Sequence, residues 1–149
     1  MKLVLMKSLT VLGTLKSLGM IAEYVKEIAI VAGLDRKASY NLRLAVEEIA
    51  TNIIVYGYQE KGSEGVLDLE VSINEQTLSL SIEDTSEGFD PFQKLNVEEE
   101  QVLLPIEQRS IGKLGLYLAI HGVDKLLYER IGDRNRNILL VKLPKKKDY

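Results

Sequence analysis

In the stretch LAVEEIATNIIVYGY, Leu44 to Tyr58, the polar residues Glu48 and Asn52 stand one helical turn apart among aliphatic neighbours. At about 100° per residue, Leu42, Val46, Ile49 and Ile53 form one apolar stripe, and Glu48 and Asn52 fall within about 40° of each other on its shoulder. A carboxylate and a carboxamide therefore point the same way. Two readings follow: a solvated helix shoulder, or one wall of a polar site. Glu47 lies elsewhere, four residues from Arg43, where a surface charge pair accounts for it. A further carboxylate comes from a strand. Counting by two from Leu78, Leu80 and Ile82 brings Asp84 to the next inward position. A buried carboxylate without a partner is costly, so a donor is expected beside it. The other reading ends the strand at Ile82 and lets Asp84 open a turn. Ser86 and Gly88 come next, and Gly88 permits close approach of another group. The third place is SIGKLGLYLAI, where Gly112 and Gly115 straddle Lys113 just before a helix. Backbone N–H groups at a helix start together with one ammonium make a phosphate cradle, although a flexible turn leading into the helix has the same signature.

The elements that must position these groups are legible from periodicity. A short strand is expected over about Lys2 to Leu9. A helix is expected from about Gly13 to Ala32, with Leu15, Leu18, Ile21, Ala22, Val25, Ile28 and Ala29 at helical spacing and Gly33 as its stop. Asp35 suits the N-cap of a second helix running to about Tyr56, with Gly57 as its stop signal. Then GVLDLEVSINEQTLSLSIED alternates apolar and polar residues on both sides of an NEQ turn, which predicts a strand hairpin with one buried face. Periodicity fails from Thr85 to about Ser110, a stretch holding Pro91, Pro105 and the acidic run VEEEQ. A loop of that length in a small domain has the character of a functional lid or of disorder. A helix from about Leu114 to Val123 and a closing hairpin turning around Gly132 to Asn137 complete the chain. The order predicts an α+β two-layer sandwich, a mostly antiparallel sheet with helices on one face.

Composition narrows what this sandwich does. The 149 residues suit one domain, with 46% hydrophobic and 28% charged residues in ordinary globular proportion. With 19 Lys+Arg against 22 Asp+Glu the net charge is -3, which gives no electrostatic support for nucleic-acid binding. No cysteine is present, so thiolate metal sites and cysteine nucleophiles are excluded. Lys7 and Lys16 interrupt the apolar N-terminal stretch and no small-residue cleavage site follows, so a cytoplasmic protein without membrane segments is expected.

Glu-x-x-x-Asn on a helix, an Asp-x-x-x-Gly leaving a strand, and a long loop ending in a glycine pair before a helix resemble the Bergerat ATP-binding fold of gyrase-type, chaperone-type and histidine-kinase ATPase domains. Within it, LRLAVEEIATNIIVYGY, SIEDTSEGFDPF and GKLGLYLAIHGVDKLLYER are similar to the bacterial anti-sigma-factor serine kinases over nearly the whole chain, 1–149. The resemblance implies a protein serine kinase that uses ATP and Mg²⁺. It makes Asn52 the Mg²⁺ ligand, Glu48 the general base toward a serine hydroxyl, and Asp84 the acceptor for the exocyclic amine of adenine. Gly88 then borders the base, Gly112, Lys113 and Gly115 hold phosphates, and 85–110 forms the ATP lid. It also implies a sigma factor or similar regulator as partner and a STAS-type anti-anti-sigma antagonist as substrate, and it admits a homodimer, family members being commonly dimeric.

The sequence departs from the family pattern in three places. Ser86 stands where the first glycine of an Asp-x-Gly-x-Gly box is usual, Lys113 where a second glycine is common, and Asn137 and Ile138 where a Gly-Thr pair is usual. These changes bear on the base pocket and phosphate loop, and they make a second reading credible: a protein-binding module that keeps the fold with little or no catalysis. A sensor histidine kinase fragment fits less well. The sole histidine, His121, is expected as a helix-surface or semi-buried packing residue of the helix after the glycine pair rather than as a phosphate carrier or metal ligand.

Overall fold

A computed structural model describes residues 4–87 and 121–144. Among them, strands β1 (Val4–Leu5), β2 (Leu9–Leu12), β3 (Val66–Ile73), β4 (Thr77–Asp84), β5 (Lys125–Ile131) and β6 (Arg134–Lys142) form one 6-stranded sheet, with helices α1 (Leu18–Ala32) and α2 (Arg36–Asn52) between β2 and β3. The order is β1-β3-β4-β6-β5, β2 also pairs with β3, and every pairing is antiparallel. The α+β sandwich expected from the sequence is therefore what the chain forms.

Alternation builds the core. Leu67, Leu69, Val71 and Ile73 of β3, Leu78, Leu80 and Ile82 of β4, Leu126 of β5, and Leu139 and Val141 of β6 are buried on one sheet face. They join one cluster with Ile21, Val25 and Ile28 of α1, Leu42, Val46 and Ile49 of α2, and Ile53 just after it. Removing such apolar surface from water is the main force holding helices to sheet.

Local chemistry sets most boundaries. Asp35 caps α2, its carboxylate accepting from Ala38 N–H at 2.8 Å. Gly33, at φ 70°, closes α1 while Leu34 N–H reaches Ala29 C=O at 3.0 Å, the bond of a Schellman ending. In the β3–β4 turn, Asn74 Oδ1 accepts from the N–H groups of Gln76 and Thr77 at 2.8 and 2.7 Å, so the NEQ turn is held by its first side chain.

The structure corrects four expectations. In place of one first strand there are two, β1 inside the expected span and β2 running past it to Leu12, and Gly13 N–H is spent on Gly65 C=O at 2.8 Å instead of starting a helix. Helix α1 begins only at Leu18 after a 3₁₀ turn at Leu15–Ser17, and Leu15 is exposed outside the apolar stripe. Gly57 does not stop the second helix. From Ile53 to Gln59 the coil widens into a π-helix, Glu60 N–H reaching Val55 C=O at 2.8 Å, and the left-handed glycine is Gly62 at φ 65°. The last hairpin turns on Gly132 and Asp133 alone, so Arg134 to Asn137 belong to β6 rather than to a loop. The helix expected at Leu114 to Val123 lies mostly outside the described residues, and His121, at its described end, is exposed.

Candidate functional site

On α2 the apolar stripe is buried as expected, and Arg43 and Glu47 form an i,i+4 pair at 3.8 Å. Glu48 is half-buried. Asn52, the last residue of α2, is 6% exposed, so at that position the solvated-shoulder reading gives way to a buried polar group.

Asp84 ends β4 at 1% exposure. Both sequence readings of it hold together: it points inward, and it opens a turn by accepting Ser86 N–H at 2.9 Å. The donors expected beside it are Ser86 Oγ at 2.5 Å and Asn135 Nδ2 at 3.0 Å. All three bonds fall on Oδ1, and Oδ2 takes none among the described residues. Ser86, the departure from the usual glycine, is thus a ligand of the carboxylate and is itself 4% exposed.

Asn135 was not singled out in the sequence, although the count by two that found Asp84 also finds it, stepping back from Val141 through Leu139 and Asn137. It lies opposite Asp84 in the β4–β6 register. Its Nδ2 also donates to Ser86 C=O at 2.9 Å, and its Oδ1 accepts from Tyr128 O–H at 2.6 Å and Arg130 Nη1 at 2.9 Å. Asn137 is one inward position deeper, 1% exposed, and its Oδ1 has no partner among the described residues. Ile138 faces the opposite side of the sheet, so of the two departures in that stretch only Asn137 bears on the inner face.

The π-helix supports this corner from the other side. A Cβ placed on Gly57 would fall 2.6 Å from Ser86 Oγ, so the glycine is needed for the approach of Ser86. Tyr58 is fully buried, donates to Val66 C=O at 2.9 Å and accepts Thr85 N–H at 3.0 Å. Its ring lies against Gly13 and Gly65, where an added Cβ would come within 2.6 and 2.5 Å. The widened coil therefore carries the helix of Glu48 and Asn52 directly to the start of the segment that follows Asp84.

The chemistry of this corner fits the groups that the resemblance implies. Asn137 Oδ1 is buried without a partner among the described residues, and Asp84 Oδ2 takes no hydrogen bond among them, which suits a ligand edge that donates hydrogen bonds, as an amino-substituted base does. Glu48 and Asn52 offer oxygen donors for a hard cation. Among the described residues no group of three or more His, Cys, Asp or Glu is assembled, so a cation here would complete its shell with phosphate oxygens and water. Gly88, Gly112, Lys113 and Gly115, and the lid from 88 onward, lie outside the described residues. No helix among the described residues is long and apolar enough to cross a membrane.

Comparison with known proteins agrees with this geometry. No curated protein sequence matches the chain. Among solved structures it is similar to the histidine kinase domain of the blue-light activated histidine kinase from Erythrobacter litoralis EL346, at 17% identity and TM-score 0.53, covering 86% of this chain and 60% of that one. That likeness speaks for the fold, and the chain spans 60% of the length of that domain. The family model described as the histidine kinase-like ATPase domain matches residues 12–142, nearly the full length. The chain belongs to the histidine kinase-like ATPase domain family.

Proposed function

We propose that this domain binds Mg-ATP at the corner formed by α2, the end of β4 and β6, and acts as a protein serine kinase of the anti-sigma type. The observation that carries the reading is Asp84, a carboxylate at 1% exposure that is anchored through one oxygen only. Its other oxygen accepts the exocyclic amine of adenine. Asn52 contributes a side-chain oxygen to Mg²⁺, and half-buried Glu48, one turn earlier on the same shoulder, takes the proton of the attacking serine hydroxyl. Gly88 borders the base, and Gly112, Lys113 and Gly115 hold the phosphates. Bound Mg-ATP supplies the phosphoryl group and neutralises the charge on it, so positioning is most of what the chain must contribute.

The substrate in this reading is a STAS-type antagonist phosphorylated on serine, and the partner released or captured in exchange is a sigma factor or similar regulator, held by the domain alone or as a homodimer. What supports the reading is the resemblance of LRLAVEEIATNIIVYGY and SIEDTSEGFDPF to that subfamily. Radiolabelled transfer from γ-labelled ATP to the serine of a purified antagonist tests it. Glu48→Ala is expected to reduce transfer by about 10²- to 10⁴-fold. Full activity in that variant refutes Glu48 as the base.

A second reading is favoured by Ser86, whose hydroxyl already occupies Asp84 Oδ1 where the family usually has no side chain. Here the domain is a protein-binding module with little or no catalysis. A partner complex of equal strength with and without Mg-ATP, and no phosphate transfer, would favour it.

A further inference from the structure

We infer that Asn135 is the positioning residue that fixes the plane of the Asp84 carboxylate and so sets how strongly the site demands an amino group on the base. This inference rests on the nucleotide reading above.

The two oxygens of a carboxylate are equivalent, but the group turns easily about its last bond, so a lone Asp holds neither oxygen along a fixed direction. Asn135 removes that freedom. Its side chain is 1% exposed, and its whole hydrogen-bonding capacity is used. The two Nδ2 protons go to Asp84 Oδ1 and Ser86 C=O, and the two lone pairs of Oδ1 accept from Tyr128 and Arg130. An amide satisfied at all four positions by β4, β5 and the turn after β4 cannot swing. It therefore fixes Oδ1 of the carboxylate, while Ser86 fills the rest of that oxygen. Oδ2 is left as the acceptor for the ligand. Arg130 also reaches Ser86 C=O at 3.3 Å, so the same cluster ties the β5–β6 hairpin to the turn. Asn135 has no direct contact with the base in this account; its effect passes through Asp84.

The test compares the β,γ-imido triphosphates of adenosine and of purine riboside, which differ only in the exocyclic amine, by calorimetric titration with Mg²⁺. Wild type is expected to prefer the adenosine analogue by about tenfold or more, and Asp84→Asn to lose that preference. Asn135→Leu, of similar size, is expected to reduce the ratio to about threefold or less, and Tyr128→Phe, which removes one bond to the amide, to an intermediate value. A thermal melt of each variant shows that it is folded, and Tyr128→Phe serves alone if Asn135→Leu does not fold. Should Asp84→Asn abolish the preference while Asn135→Leu and Tyr128→Phe weaken both analogues equally and keep the ratio, Asn135 is only structural, and this inference fails with the site intact. Wild type binding neither analogue removes the nucleotide reading and this inference with it, whereas wild type binding both equally leaves nucleotide binding in place and overturns the role of Asp84 toward the amine together with this inference.

Discussion

Glu83 and Asp84 are adjacent on β4 and carry the same charge, yet the pleat sends them to opposite faces of the sheet. On the outer face Glu83 lies between Arg134 and Arg136, and the chain of alternating charge extends to Asp68 at one end and Glu129 at the other. These side chains are mostly a third to a half exposed. On the inner face Asp84 meets no cation directly among the described residues. It is held by a hydroxyl, a backbone N–H and a carboxamide at 1% exposure. The contrast is instructive because solvated ion pairs contribute little and tolerate exchange, whereas a desolvated carboxylate is retained at a cost that the fold alone does not require. Inner polar groups are thus where a ligand should be sought, and the outer ladder is a solvated face.

Substitutions on the two faces should separate accordingly. Asp84→Asn is expected to weaken binding of an ATP analogue by roughly 10- to 150-fold, the worth of a hydrogen bond to a charged group, while Arg136→Ala leaves affinity within about twofold. Titration of both variants side by side checks this. Next comes the support under the site: Gly57→Ala should lower stability by about 1–3 kcal/mol, because its Cβ meets Ser86 at 2.6 Å. Adding Ser86→Gly should restore part of that loss, and a double-mutant cycle in urea measures the coupling. Tyr58→Phe removes the hydroxyl that joins Val66 C=O to Thr85 N–H and is expected to cost about 1–2 kcal/mol in the same assay.

The smallest effect belongs to the outer ladder and shows as pH dependence. The hydroxyl of Thr10, followed by Arg134, holds the Asp68 carboxyl below its ordinary value. A folded-state pKa below the unfolded one means that the unfolded chain binds more protons, so stability is fully present above about pH 4 and is lost as pH falls through the folded value. Thr10→Val should flatten this acid limb by a fraction of a kilocalorie per mole, within the roughly 0–1 kcal/mol range of exposed pairs. Equilibrium unfolding between neutral and acid pH would show it. An acid limb unchanged in Thr10→Val would detach Asp68 from that contact.

Much of the architecture was legible in the sequence because its signals are local. Alternation in β3 and β4, the Asp35 cap and the Gly33 stop depend on near neighbours in the chain, and each is present as read. Gly57 was misread for the opposite reason. Its partner, Ser86, is 29 positions away (86 − 57 = 29), and sequence cannot distinguish a glycine that stops a helix from one that admits a distant side chain. Treating Arg134 to Asn137 as a turn hid the inward run of Asn135 and Asn137, and with it the donor that the buried Asp84 required. Tyr58 carries no local signal of its role, because its ring and hydroxyl lie at the junction of π-helix, β3 and the turn after β4, whose partners are distant in the chain. Asn52 and Asp84 were reached from pattern alone because helix phase and strand parity place them without knowledge of any partner.

The most direct test of the account is calorimetric titration of the wild-type domain with a non-hydrolysable ATP analogue, with and without Mg²⁺, beside Asp84→Asn and Asn52→Ala. The account predicts binding that is strengthened by Mg²⁺, loss of affinity in Asp84→Asn, and loss of the Mg²⁺ dependence alone in Asn52→Ala. A folded wild-type domain that takes up no nucleotide, or one whose binding ignores Asp84, would contradict it.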